Sequence, residues 1–247
     1  MSDLDPSPAC PRWLAEVALA HRGLHGEGVP ENSLAAFAAA AGAGYGVELD
    51  VHLSRDGVPV VHHDISLDRL TGRDARIGEL TAAQLATLRL AGTDQHVPTL
   101  AEVLVTMGDA PVMVELKQDR LRTGALEAAT AAVLERHPGP VCVAGFNPGS
   151  LRWFRKHRPA VVRVLTASPL DDTDLPALLR RRLAAIKDLP SVVPAAVSYD
   201  LTGLPNPATD DWRARGGVLV TWTVRDEAGL ARARELADNV IFERVRP

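Results

Sequence analysis

Short runs rich in β-branched residues alternate with Ala/Leu-rich stretches of helical period from one end of the chain to the other. That alternation is the pattern of an α/β fold with a parallel sheet. Eight runs read as strands, at 17–20, 46–52, 111–115, 141–145, 161–166, 193–198, 218–223 and 240–243. Helices are predicted between most of them, at 34–43, 101–106, 124–136, 150–156, 174–185, 207–215 and 227–237. Asn32 or Ser33 supplies the first N-cap, and Gly42 with Gly44 stops that helix. Eight βα units in 247 residues are the size of a (β/α)8 TIM barrel, expected as a single domain over residues 1–247.

Two stretches break the rhythm. Val58-Pro59-Val60-Val61 follows the turn signal Arg55-Asp56-Gly57, so it reads as a hairpin partner of the second strand, which returns His63 towards Asp50. Residues 65–98 are polar, with one weak helical segment at 81–89, and read as an insertion at the catalytic face. The last strand stops a few residues before Pro247, so an eighth helix is missing or displaced. There is no internal repeat.

Composition narrows the classes. A formal net charge of −4 argues against a nucleic-acid footprint, although a small anion needs only local positive charge. Cys10 and Cys142 do not make a disulfide framework. The first twelve residues lack a basic and an apolar signal region, and no apolar run reaches the roughly 18 residues of a membrane span. A cytoplasmic protein without stable membrane insertion is expected; oligomeric state is not predicted.

The candidate chemistry sits where the strands stop. Side chains alternate along a strand, so Glu48 and Asp50 share one face while Val47, Leu49 and Val51 take the other. The third strand repeats the device with Glu115 and Lys117. Adjacent carboxylates repel unless a cation or a proton intervenes. Three carboxylates without Cys or HxxxH spacing suit one Mg²⁺ or Ca²⁺ better than Zn²⁺. His21 closes the first strand, and Arg22 beside it and Lys117 are suited to two oxygens of a phosphate. If His21 and His63 flank that phosphate, one imidazole takes a proton and the other gives one. His62 and His63 are neighbours in an extended segment, so only one points inward. His52 shares the face of Asp50 and is expected to line the site without acting, while His25, His96, His137 and His157 read as rim or core residues. Arg180-Arg181-Arg182 and the charges at 152–158 read as solvated helix faces.

These residues belong to a series of short motifs: Ala20-His21-Arg22-Gly23, Pro30-Glu31-Asn32-Ser33, Val47-Glu48-Leu49-Asp50-Val51, Asp56-Gly57, Val61-His62-His63-Asp64, Leu67-Asp68-Arg69, Val97-Pro98-Thr99-Leu100, Val114-Glu115-Leu116-Lys117 and Trp222-Thr223-Val224. In that order they resemble the glycerophosphodiester phosphodiesterase family, a branch of the phospholipase-C-like TIM barrels. The resemblance covers nearly the whole chain. It implies hydrolysis of a glycerophosphodiester, a small-molecule substrate, to sn-glycerol 3-phosphate and an alcohol with a divalent cation. It places the catalytic pair on His21 and His63, the metal ligands on Glu48, Asp50 and Glu115, and the phosphate contacts on Arg22 and Lys117. Glu31 matches a polar residue near the site and Trp222 an aromatic wall. The sequence departs from the family where Gly145-Phe146 replaces Ser-Phe, where Arg225 replaces Asn, and at the last strand. Those departures bear on substrate choice. A lysophospholipase D or sphingomyelinase D-like enzyme uses nearly the same parts, and an exposed apolar lip around the insertion would favour it. A glycosidase would leave the histidines and Lys117 idle, and a non-catalytic phosphate-binding barrel would have no need of the full set.

Overall fold

A computed structural model describes residues 9–117, 123–170 and 176–247. The chain divides into two compact units, one of residues 19–141 and one of residues 142–247 together with the N-terminal residues up to 18. The eight parallel strands of the (β/α)8 TIM barrel fall three to the first unit and five to the second.

In the first unit β1 (Leu19–His21), β2 (Gly46–Leu53) and β4 (Val112–Leu116) run parallel, and β3 (Pro59–Val61) pairs antiparallel with the end of β2. Register is what positions chemistry here. His21 lies opposite Glu48, and Asp50 lies opposite Glu115. The hairpin forms as its turn predicts, with Gly57 at φ 80 and the Ser54 hydroxyl accepting from the Val58 N–H. The His62 N–H then donates to the Asp50 carbonyl at 3.0 Å, which fixes the return of the chain beside β2.

After β1 the chain turns at once. Arg22 and Gly23 take left-handed φ values of 57 and 82, and a Cβ at Gly23 would lie 2.8 Å from the Ala36 Cβ. Only glycine meets both demands. Asn32 is also left-handed, at φ 55, a conformation Asn tolerates better than most residues. Ser33 rather than Asn32 caps α1 (Leu34–Gly42), accepting from the Ala36 N–H. Asn32 is thereby released for another task.

The insertion is more structured than its polarity suggests. The segment 81–89 contains only one helical turn, Ala82–Leu85, joined by the turn Asp68–Thr71 and two short 3₁₀ turns. Leu67, Ile77, Leu85, Leu90 and Val97 gather with Val60 into a buried cluster of their own. Among the described residues the exposed large apolar side chains are Val105, Leu178 and Leu179. None lies in 65–98, so the lip that would favour a lipid substrate is not there.

The second unit runs β5 (Val141–Gly145), β6 (Val162–Ala167), β7 (Ala196–Asp200), β8 (Val218–Val224) and β9 (Asn239–Phe242), each parallel to the next. Two predicted strands start later than expected. Val17 ends a short helix, Trp13–Glu16; its N–H bonds to the Trp13 carbonyl and its own carbonyl accepts from the Asn239 amide. Val193 ends another short helix at φ 49 and gives its carbonyl to the buried Arg163 guanidinium. Of the predicted helix 174–185, the described part is Ala177–Ala184, and residues 174 and 175 lie outside the described residues. No helix follows β9 among the described residues. The helix Trp13–Glu16 packs on β8 and β9 instead.

Candidate active site

Glu48 and Asp50 of β2 and Glu115 of β4 are buried, and each offers an oxygen within 4.8 Å of the others. Lys117 Nζ lies 2.6 Å from Glu115 Oε1 and 3.0 Å from Asp50 Oδ1. Asp50 Oδ2 accepts from Asn32 Nδ2 at 3.0 Å and lies 3.4 Å from Arg22 Nε. Glu48 Oε2 has no hydrogen-bond partner; His21 Nε2 stands 4.0 Å away.

This distribution sets the charges. Burial alone would raise Asp50, but Lys117, His63, Arg22 and the Asn32 hydrogen bond hold it well below the usual carboxylate range. Burial, then the charges of Asp50 and Glu115, push Glu48 well above it. Lys117 is raised because Glu115 and Asp50 outweigh the burial that would lower it. One lysine therefore cannot neutralise three carboxylates, and Glu48 is left over. An all-oxygen donor set with one buried, unpartnered oxygen fits a hard divalent cation.

His63 is oriented from behind. Its Nδ1 lies 2.7 Å from Asp64 Oδ1. Asp64 is held near pH 2, where hydrogen bonds from Arg69 and His63 outweigh its partial burial, so it is an acceptor at neutral pH. Nδ1 must then carry the proton, which leaves Nε2 as the free base of the neutral ring. Burial lowers the His63 pKa despite the attraction of Asp50. His62 is fully buried, with Nδ1 donating to the Asp64 carbonyl at 2.7 Å, and His52 Nε2 donates to the His63 carbonyl at 3.0 Å. Both brace the backbone that carries His63.

Glu31 joins Arg22 to this brace. It accepts from Arg22 Nη1 at 2.8 Å and from both terminal nitrogens of Arg69, at 2.8 and 3.0 Å. Burial would raise Glu31, but hydrogen bonds and charge from Arg69 and Arg22 bring it to about 2. A carboxylate with a depressed folded pKa adds stability above its unfolded value and loses it as pH falls through the folded one. The Glu31 contribution, about 1 kcal/mol once the half-exposed Arg69 partner is discounted for solvent screening, is thus present above about pH 4.5 and disappears towards pH 2. Melting curves between pH 7 and 2.5 should show Glu31→Gln with a flatter acid limb than wild type. An equal slope would contradict the assignment.

The model of the glycerophosphoryl diester phosphodiesterase family matches residues 21–245. The chain belongs to this family. A glycerophosphodiester phosphodiesterase of Caldanaerobacter subterraneus is 34% identical over 156 residues, covering 58% of this chain and 63% of that one. Rat glycerophosphodiester phosphodiesterase 1 is 42% identical over 96 residues, covering 35% of this chain and 29% of the rat protein. The match spans less than two thirds of either relative. Among solved structures, an Oleispira antarctica phosphodiesterase in complex with the product sn-glycerol-3-phosphate superposes with a TM-score of 0.78, at 27% identity and 92% coverage of both chains.

Within the family frame, the first unit brings together His21, Arg22, Glu31, Glu48, Asp50, His63, Glu115 and Lys117. Phe146 and Trp222 belong to the second unit, where their rings meet edge to face at 5.7 Å between centroids. Trp222 Nε1 is buried without a partner. Three residues at the site have no site role in the sequence: Asp64, Arg69 and Asn32, which reads there only as a possible helix cap. Asn32 and Asp64 stand next to Glu31 and His63 inside family motifs, and that adjacency is their signal; Arg69 closes Leu67-Asp68-Arg69, a motif in which the sequence marks no site residue.

Proposed function

We propose that this protein hydrolyses a glycerophosphodiester to sn-glycerol 3-phosphate and an alcohol, with a divalent cation held by Glu48, Asp50 and Glu115. The observation that carries this reading is the convergence of three buried carboxylates, one of them unpartnered, beside a histidine whose tautomer Asp64 fixes. The cation would supply charge neutralisation at the phosphoryl oxygens and acidify a hydroxyl near it.

The chain's own groups supply the rest. Arg22, already fixed by Glu31 and Asp50, presents its guanidinium to a phosphate oxygen, and Lys117 offers a second positive charge. His63 Nε2 takes the proton of the attacking oxygen; if that oxygen is water, sn-glycerol 3-phosphate forms at once, and if it is the glycerol 2-hydroxyl, the cyclic phosphate that results is opened by water with the two histidines exchanging roles. As the bond from phosphorus to the alcohol oxygen breaks, His21 gives that oxygen a proton.

The test offers purified protein glycerophosphocholine, glycerophosphoethanolamine, glycerophosphoglycerol and lysophosphatidylcholine, each with Mg²⁺, Ca²⁺ or EDTA. Release of sn-glycerol 3-phosphate from at least one water-soluble diester with a cation, and none in EDTA, is expected. No release from any of the three overturns the reading, and turnover of the lysolipid alone moves it to the lipid enzymes.

A further inference from the structure

The insertion contributes one charged side chain that reaches into the site. Arg69, on the helical turn Asp68–Thr71, aims its three donor nitrogens at two carboxylates. Nε meets Asp64 Oδ2 at 2.5 Å, while Nη1 and Nη2 grip both oxygens of Glu31 at 3.0 and 2.8 Å. Asp64 uses its other oxygen on His63, and Glu31 shares Oε1 with Arg22. An unbroken chain of contacts thus runs from His63 through Asp64, Arg69 and Glu31 to Arg22, and from Arg22 to Asp50.

We infer that Arg69 is a positioning residue, which locks the acid/base imidazole of His63 and the phosphate-side guanidinium of Arg22 into one fixed arrangement. The inference rests on the function proposed above. Without Arg69, Asp64 and Glu31 lose their common partner. Asp64 is then free to rotate away from Nδ1, and the His63 ring loses what selects its Nδ1–H tautomer. A guanidinium is suited to the task because its planar fork serves two carboxylates at once, whereas an ammonium is a point charge. Arg69 itself is half exposed, and ion pairs at that exposure add little to folding stability. Selection for stability alone therefore gives no reason for three aimed donors.

Two substitutions separate charge from geometry. Arg69→Lys keeps the charge and loses the fork, and Arg69→Gln loses both. Both variants should lower kcat about 10- to 100-fold, the usual effect of removing the partner that orients a functional side chain, with melting temperatures near that of wild type. Nitrogen-15 imidazole spectra, assigned through His63→Gln, should show His63 as the Nδ1–H tautomer in wild type and as a mixture in both variants. Recovery of kcat in Arg69→Lys would overturn the inference, because charge alone would suffice. So would a His63 spectrum unchanged in Arg69→Gln. The spectra need no turnover. If wild type hydrolysed no glycerophosphodiester, the proposed function would fail while the tautomer still decided the role of Arg69.

Discussion

Replacing His63 by alanine is expected to lower kcat by about 10²–10⁴, the range that positioned acid/base groups supply, or roughly 3–5 kcal/mol of barrier. Folding should survive the change, because the side chain is a third exposed and packs in no core. His21→Ala should behave alike, since His21 also stands at the open end of a strand, half-buried beside Glu48. His62 provides the contrast within one motif. Its ring is fully buried and bonded to the Asp64 carbonyl, so His62→Ala opens a cavity and strips a hydrogen bond, and the loss should fall on melting temperature. Steady-state kinetics and thermal melts on the three variants decide the matter. A His63→Ala enzyme within a few-fold of wild type, or a His62→Ala enzyme with unchanged melting and lost turnover, would reverse the assignment of the inward imidazole.

The placement of that imidazole shows how far the sequence could be read. Strand alternation puts Glu48 and Asp50 on one face whatever the rest of the chain does, and the turn signal Arg55-Asp56-Gly57 predicts the hairpin that returns His63. Both are local rules with period or length attached, and both survive in the structure. The contacts that escaped are of another kind. Arg69 and Glu31 are far apart in sequence and meet only because the insertion folds back over β2 and β3. The apolar residues that hold the insertion together, Leu67, Ile77, Leu85, Leu90 and Val97, are spaced without a helical or strand period. A segment with such spacing reads as a polar loop although it builds a small core. Asn32 was hidden by a different ambiguity: two adjacent capping residues both fit the helix start, and only the backbone φ and the bond to Asp50 show that Ser33 does the capping. Val17 and Val193 misled for a third reason. Their β propensity is overridden by helix ends whose hydrogen bonds claim their backbone.

The carboxylate cluster makes the second large prediction, and it concerns stability. Among the described residues Lys117 is the one ammonium in contact with Asp50 and Glu115, and removing one partner of a buried charge cluster typically costs about 3–5 kcal/mol. For a chain of this size that corresponds to roughly 6–20 °C in melting temperature, so Lys117→Met in EDTA should melt far below wild type. Glu48 carries the opposite sign. Its carboxylate is buried, flanked by two like charges and without a hydrogen-bond partner at Oε2, so the neutral isostere Glu48→Gln should melt at or above wild type in EDTA. A divalent cation separates the two further. At a hundred times its dissociation constant a ligand specific to the folded state adds about 2.7 kcal/mol, so Mg²⁺ or Ca²⁺ should raise the melting temperature of wild type and restore part of the loss in Lys117→Met, where it supplies the missing positive charge. It should leave Glu48→Gln unmoved, because the leftover carboxylate that attracts it is gone. Differential scanning fluorimetry of the three proteins with and without cation is sufficient. A Lys117→Met protein that melts with wild type in EDTA would show that the cluster is already neutralised by protons, and an equal cation shift in Glu48→Gln would remove Glu48 from the proposed ligand set.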